Sequence, residues 1–583
     1  MPSFTGLREV RLIRFLTPIV MVLLLLPLPS AGQEPIPGPT LPREVRDQVL
    51  QFLNAPATLR LPGGARIPLG TTVEGDIGVL GGGLHLAGRV QGDLVVVNGD
   101  LRLEDGAVVE GAVLVVGGRV AGTELARIAG GLEVHQASLR YRIRDDRVEA
   151  EESPGVEVPG FLQQDLGPAR VRFTLRATGN YNRVEGLPVS FGPVLEAGAR
   201  NPFLLEGFGI WRSVDGLDIA RENLGYAFRA QQGLGGSGEL FLELSTFSRV
   251  AQVEDRGLSD TEASLATFLL RRDFLDYFER SGWSASVALR PVDRPIRFQV
   301  EYREEDHTSV SIRDPWTIRD QERAWRPMAA MAEGPLRTLA LEAALDTRDD
   351  LREPAMGWWV QTRLRRAVGG DLRFTGFSRA AEQGDQAPDA PVLAPGVFPL
   401  ALDGMLDLRR YNRLGPDSRL HFRLVAAGSL DGNPLPPQHQ LALGGEGSLP
   451  AHPRFSLDCG ARTSTLFWRG EEVYPFYGCD RIILGQMEYH GLLPFSWTPG
   501  ASRKEEWEWG ALMELQPAWT FFLNGGRGWA MEGAPELDPS EDSPFRADVG
   551  AGLHLGALGL YWAYPLNRRD RGLNFFVRLQ HRF

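Results

Sequence analysis

The sequence predicts an all-β chain: an antiparallel transmembrane β-barrel of about 16 strands preceded by a short β-solenoid. Three observations predict it. Residues 573–583 (LNFFVRLQHRF) place Leu573, Phe575, Val577, Leu579 and Phe583 on one parity, and Asn574, Arg578, Gln580 and Arg582 on the other. Side chains alternate across a strand, so this segment has one apolar and one charged face. It stands behind a secretory-type leader and a long train of similar segments, which makes it the closing strand of a barrel in a bacterial outer membrane. Between leader and train, residues 67–138 repeat with a short period, which barrels do not do.

Residues 1–32 have the regions of a signal peptide: Arg8, Arg11 and Arg14, an apolar run over 15–28, then Ser30-Ala31-Gly32. The run is short and broken by Pro18 and Pro27, which favours cleavage over anchoring, with Gln33 the expected first mature residue. Beyond residue 32 no apolar stretch reaches the roughly 18 residues of a spanning helix. A barrel escapes such a search, because only alternate residues meet lipid. The net charge of -12 argues against nucleic acid as a partner, since that needs a basic face.

Residues 33–66 open on a Pro-rich spacer (33–42), followed by Val45, Val49, Leu50 and Leu53 at helical spacing, which predicts a short amphipathic helix. In 67–138 the strings VEGDI, VQGDL, VEGAV and IAGGL start at Val73, Val90, Val109 and Ile128. Apolar triplets such as Leu94-Val95-Val96 and Val113-Leu114-Val115 alternate with glycine corners. One repeat cannot bury its apolar edge, but stacked coils share a core, so about four coils of solenoid are expected. The repeat resembles the bactofilin (polymer-forming) family, which implies self-association of this segment. Residues 139–168 are charged and Pro-containing and are expected to be a linker.

From residue 169 strands follow one another, for example over 171–177, 239–247, 358–364, 372–377 and 420–426, separated by polar turns of unequal length. At roughly 26 residues per strand and turn, 169–583 holds about 16 strands. Within it, Leu441-Ala-Leu-Gly444-Gly445-Glu-Gly447-Ser448-Leu449-Pro450 follows the Pro-rich turn 434–437. This segment resembles the outer-membrane insertase and translocase barrels, the BamA/TamA-type surface-antigen superfamily. There an equivalent Gly-Gly segment opens a long loop that folds back into the lumen. Asp346-Thr347-Arg348-Asp349 with Pro354 and Gly357 resembles a strand-start motif of the same family. Leu484-Gly485-Gln-Met-Glu488-Tyr489 resembles its strand after the loop, 521–526 (FFLNGG) its lumen-facing strand, and 555–566 its penultimate hairpin. The likeness spans about 170–583, and about five strands fit after the loop, as the family would place it.

The departures from that family are local. Its loop tip carries an Arg-Gly-aromatic triplet where this chain has Pro450-Ala451-His452, and its lumen strand offers an acid where this chain has Asn524, followed by Gly525. A buried cation without its anion is costly, so losing both together is coherent. The family's loop-to-wall ion pair is therefore expected to be missing, with Arg454 or Arg462 as substitutes, or a Cys459–Cys479 crosslink holding the loop instead. An exported chain meets oxidising conditions, so those two cysteines are a candidate disulfide, and they lack the close spacing of zinc ligands. The family's POTRA domains, which capture client strands by edge pairing, have no counterpart in 33–168.

No arrangement for catalysis, metal or cofactor stands out. Gly235-Gly-Ser237-Gly lacks a nucleophile elbow's partners, and Glu304-Glu305-Asp306 and Asp349-Asp350 read as solvated turn charges. His307, His421 and His452 read as loop or lumen residues. The expected function is insertion or translocation of protein or lipid at the outer membrane, with the solenoid in the periplasm. Partners would be membrane lipid, unfolded outer-membrane proteins or other envelope components. Its mechanism would be a lateral opening between the strand near 171–177 and the terminal strand with Phe575, Val577, Leu579 and Phe583. The alternatives are a structural anchor, through solenoid self-association or cell-wall contact, and a passive porin.

Overall fold

In the computed structural model the residues described are 43–583, except 151–162, 375–395, 455–465, 474–478, 494–516, 532–544 and shorter gaps in loops and turns. The leader and spacer therefore lie outside the described residues.

The repeats build three parallel faces. One face stacks Leu59–Pro62, Ile77–Leu80, Leu94–Val97, Val113–Val116 and Leu132–His135; two four-stranded faces complete each coil. Ile77, Val79, Leu84, Leu86, Leu94, Val96 and Val115 point inward and are fully buried. The repeated Gly-Asp has a physical role at the corner. Asp76 Oδ1 accepts the Asp93 backbone N–H at 2.8 Å, and Asp93 Oδ1 accepts that of Ala112 at 2.7 Å, so each side chain fastens the next coil. At another corner the backbones touch: a Cβ on Gly99 would lie 2.0 Å from Gly82 O. Gly99→Ala is expected to destabilise the solenoid by about 1–3 kcal/mol through overpacking. A lowered solenoid transition in the full-length protein, with the barrel transition unmoved, is the measurement.

The five-stranded face is apolar on both sides. Its outer residues Leu80, Val95, Val97, Leu114 and Val116 are covered by helix α1 (Arg43–Leu53), through Val49 and Leu53, and by Leu139 and Val148. Two asparagines act as clamps. Asn54 exchanges two hydrogen bonds with the Val148 backbone, both 2.8 Å, and Asn98 does the same with Leu139. Part of the stretch expected to be linker is thus folded: Tyr141–Arg144 and Arg147–Ala150 form a hairpin beside the solenoid.

Sixteen antiparallel strands then form the barrel, each paired with the next. They are β1 (Ala169–Ala177), β2 (Pro188–Ala197), β3 (Phe203–Arg212), β4 (Leu224–Leu234), β5 (Leu240–Gln252), β6 (Tyr277–Leu289), β7 (Ile296–Ser309) and β8 (Gly334–Asp346). They continue as β9 (Gly357–Gly370), β10 (Leu402–Arg413), β11 (Ser418–Ser429), β12 (Arg481–Leu492), β13 (Pro517–Trp529), β14 (Arg546–Leu555), β15 (Leu558–Pro565) and β16 (Asn574–Arg578). The expected strand over 372–377 is not among them; there a two-residue strand, Arg373–Phe374, pairs with Gly396–Val397 inside a long connection. Leu372, just before it, is buried with Phe398 against Phe278 and Leu336, and 375–377 lie outside the described residues.

Alternation puts lipid-type side chains outside. Phe228, Leu244, Val300, Leu341, Phe521, Leu553 and Phe575 are exposed, while Phe522, Asn524 and Thr520 on the same or neighbouring strands are buried inward. So continuous an apolar exterior needs lipid rather than water around it. No described helix is long and apolar enough to cross a membrane. Connections at the end where β1 begins are mostly short, 493–516 excepted; those at the far end include 253–276, 310–333 and 430–480.

Described parts of these long connections pack inside the barrel. Helix α2 (Asp260–Leu270) starts from a capping box, in which the Ser259 side chain accepts the Glu262 N–H and the Glu262 side chain accepts the Ser259 N–H. Beside it, Arg183 of the β1–β2 connection is fully buried, with Nη2 on Asp276 at 2.5 Å and Nη1 donating to Leu275 O at 2.7 Å. Arg326 reaches the same Asp276 carboxylate, and the Tyr277 hydroxyl donates to Asp273 at 3.1 Å. This buried knot ties three far-end connections together.

Candidate functional site: the lumen loop and the seam

The Gly-Gly segment is a compact turn set by backbone chemistry. Gly444 and Gly445 have φ of +101° and +80°, and a Cβ on Gly444 would come within 2.7 Å of Pro453 O, so the position demands glycine. Ser448 closes the turn: its Oγ accepts the Gly444 N–H and donates to Gly444 O, both at 2.9 Å. Gly447 lies so close to Gly257, before α2, that a Cβ would sit 2.2 Å from it. Leu449 is fully buried with Leu443, Val425, Leu484 and Cys479.

The loop tip is docked on the inner wall. Gln486 of β12 donates to Ser448 O at 3.0 Å, Asp548 of β14 accepts the Ala451 N–H at 3.1 Å, and Asn574 of β16 donates to Pro450 O at 2.6 Å. Asn524 stands among them, donating to Asp548 at 2.7 Å and accepting from Gln486 at 3.2 Å. The carboxylate beside Asn524 is that of Asp548, its register partner on the next strand. Its neighbour Gly525 pairs with Gly485 and Ala547.

The wall residue Glu488 is paired with Arg582 and not with a residue of the loop. Arg582 Nη1 lies 2.9 Å from Glu488 of β12, Arg582 Nη2 donates to Asn524 at 3.3 Å, and the guanidinium sits 4.0 Å from the Phe522 ring centre. Arg454 does not take that place; it pairs with Glu254 at 3.0 Å, and Arg462 lies outside the described residues. Cys479 is buried and disulfide-bonded, while Cys459 lies outside the described residues. His452 is buried at the tip, near Ala547 O; His307 and His421 are buried on β7 and β11.

The terminal strand differs from its sequence-based outline. Phe575 and Val577 face outward, but the strand stops at Arg578 and the chain bends at Leu579. Leu579 follows the strand as a bend of intermediate burial, and Phe583 lies outside the described residues. The bend follows from what the inward side chains find. Arg578 Nε and the Leu579 N–H both donate to Glu262 Oε1 at 2.7 Å, and Arg578 also donates to Glu446 O and Gly257 O. Burial pushes the Glu262 carboxyl upward, but the Arg578 guanidinium and these hydrogen bonds outweigh it and hold the pKa below the ordinary carboxylate value. Phe576 stacks on Tyr561 at 5.0 Å.

At the seam no backbone ladder joins β16 to β1 among the described residues. The free edge of β1 is instead partly occupied by the chain itself, Gln163–Leu166 pairing antiparallel with Ala169–Arg172.

Sequence reasoning missed Glu262, Arg578, Arg582, Glu488 and Asp548 as a group. Their spacing exceeds any local pattern: Glu262 and Arg578 are 316 positions apart. One signal was present, the Ser259-x-x-Glu262 capping box, which marks a helix start inside a strand-rich region.

No family model matches the chain, and no curated protein does. Among solved structures it is similar to BamA from Haemophilus ducreyi lacking POTRA domains 1–3, at 13% identity over 71% of this chain and 70% of that one, with a TM-score of 0.41. It is similar to CdiB from Escherichia coli at 11% identity (76% and 67% covered, TM-score 0.30). CdiB from Acinetobacter baumannii follows at 12% identity (71% and 59% covered, TM-score 0.27). Likeness at these values carries no argument; the barrel rests on the chain's own strand order and faces.

Proposed function

We propose that this chain is an outer-membrane barrel that inserts or translocates polypeptide, or lipid, through a lateral opening between β1 and β16. The observation that supports this most is the seam, where the first and last barrel strands share no ladder among the described residues while the inward face of β16 is fastened to the lumen loop. An unpaired strand edge is a template for another extended segment. In this reading the solenoid faces the periplasm, the leader directs export, and no residue performs covalent chemistry. A passive porin is the weaker alternative, because α2 and residues 441–454 pack into the lumen.

The test is depletion with a census of the envelope, combined with a photo-crosslinking residue at the exposed Leu175 of β1 or Val577 of β16. A fall in other outer-membrane components, and crosslinks to them from both positions, is the expected result. An unchanged envelope with crosslinks to lipid only would reject the reading.

A further inference from the structure

We propose that helix α2 is a latch on the terminal strand: through one carboxylate, that of Glu262, the position of the lumen helix fixes where β16 ends and turns inward. The last strand is then held from inside the barrel rather than by a neighbour across the seam.

The geometry of the carboxylate is the argument. Glu262 Oε2 accepts the Ser259 N–H and hydroxyl, both at 3.0 Å, so it caps its own helix. Glu262 Oε1 accepts Arg578 Nε and the Leu579 N–H, both at 2.7 Å. The same group therefore belongs to both elements, and neither can shift by an ångström without breaking hydrogen bonds in the other. Both charged partners are buried, Glu262 at 7% exposure and Arg578 at 2%, so water cannot replace what is lost. The Leu579 N–H is the first amide beyond the strand and has no ladder partner among the described residues, which makes Glu262 its substitute for a neighbouring strand. Arg578 reinforces this by also donating to Gly257 O, just before the helix. Coupling through the shared carboxylate is reciprocal: withdrawing the carboxylate loosens the strand end, and withdrawing Arg578 loosens the helix start. The latch concerns the barrel alone and does not depend on what crosses the seam.

Hydrogen exchange on the intact, lipid-reconstituted protein tests it. Glu262→Ala is expected to accelerate exchange of the 574–579 amides by about 10- to 100-fold, from loss of hydrogen bonds to a charged group. Ser259→Ala removes a cap without touching Arg578, and is expected to accelerate α2 amides while leaving 574–579 close to the parent. Should Glu262→Ala fail to fold, Arg578→Met reads the coupling in reverse and is expected to accelerate α2 exchange. Parental protection of 574–579 in Glu262→Ala, equal acceleration there in Ser259→Ala, or an α2 unaffected by Arg578→Met would each overturn the latch. An unchanged envelope on depletion would sink the transport reading and leave these exchange rates untouched.

Discussion

Arg582→Ala is expected to destabilise the barrel by ~3–5 kcal/mol, because it leaves Glu488 buried without its cation. Glu488 is 2% exposed, and its remaining partner is His490, whose Nε2 lies 3.1 Å away. The substitution also removes the guanidinium from the Phe522 face and a donor from Asn524. The measurement is the folded-to-unfolded transition of the purified protein, followed by heat-dependent migration on a gel. The double variant Arg582→Met with Glu488→Gln separates causes: if the unpaired charge dominates, it recovers a large part of the loss. A single Arg582→Ala variant as stable as the parent would show that this wall contact does not hold the chain end.

Arg183→Ala is expected to have an effect of similar size at the far end of the barrel. Arg183 is fully buried, donates through Nη1 to Leu275 O and through Nη2 to Asp276, and anchors its own backbone N–H on Asp273 Oδ2 at 3.0 Å. Without the guanidinium, Asp273 and Asp276 must share what Arg326 and Tyr277 supply. Removing one member of a buried ionic cluster typically costs ~3–5 kcal/mol. The loss should be local: residues 178–187 become sensitive to protease, while the membrane-embedded strands keep their exchange protection. Arg183→Lys should not rescue it, since a point charge cannot reproduce a two-armed fork. Protease resistance equal to the parent's would mean that this knot does not secure the connection.

Much of the fold was legible because its signals are periodic and local. The Gly-Asp strings at Val73 and Val90 mark coils whose aspartates cap the next coil, and residues 420–426 alternate as β11 does in the barrel. Residues 372–377 show the limit of the same signal, since Arg373–Phe374 pairs with Gly396–Val397 and not with a barrel strand. At the candidate site, Gly444, Gly445 and Ser448 were legible because the turn is written within a few residues. Asp548 beside Asn524 was not, because a register partner on the next strand carries no mark in the local sequence.

By itself the sequence determined the alternation that gives the barrel an oily outside and a polar inside, the coil repeat, and the glycines of the lumen loop. Each is fixed by the conformation of a few consecutive residues. Only the tertiary structure decided that Arg582 meets Glu488, that Arg578 and Leu579 end on Glu262, and that Gln163–Leu166 lies along β1. Curling the strands around a common lumen brings distant charges together in a place where none can be left unpaired, and no stretch of sequence records which partner each will find.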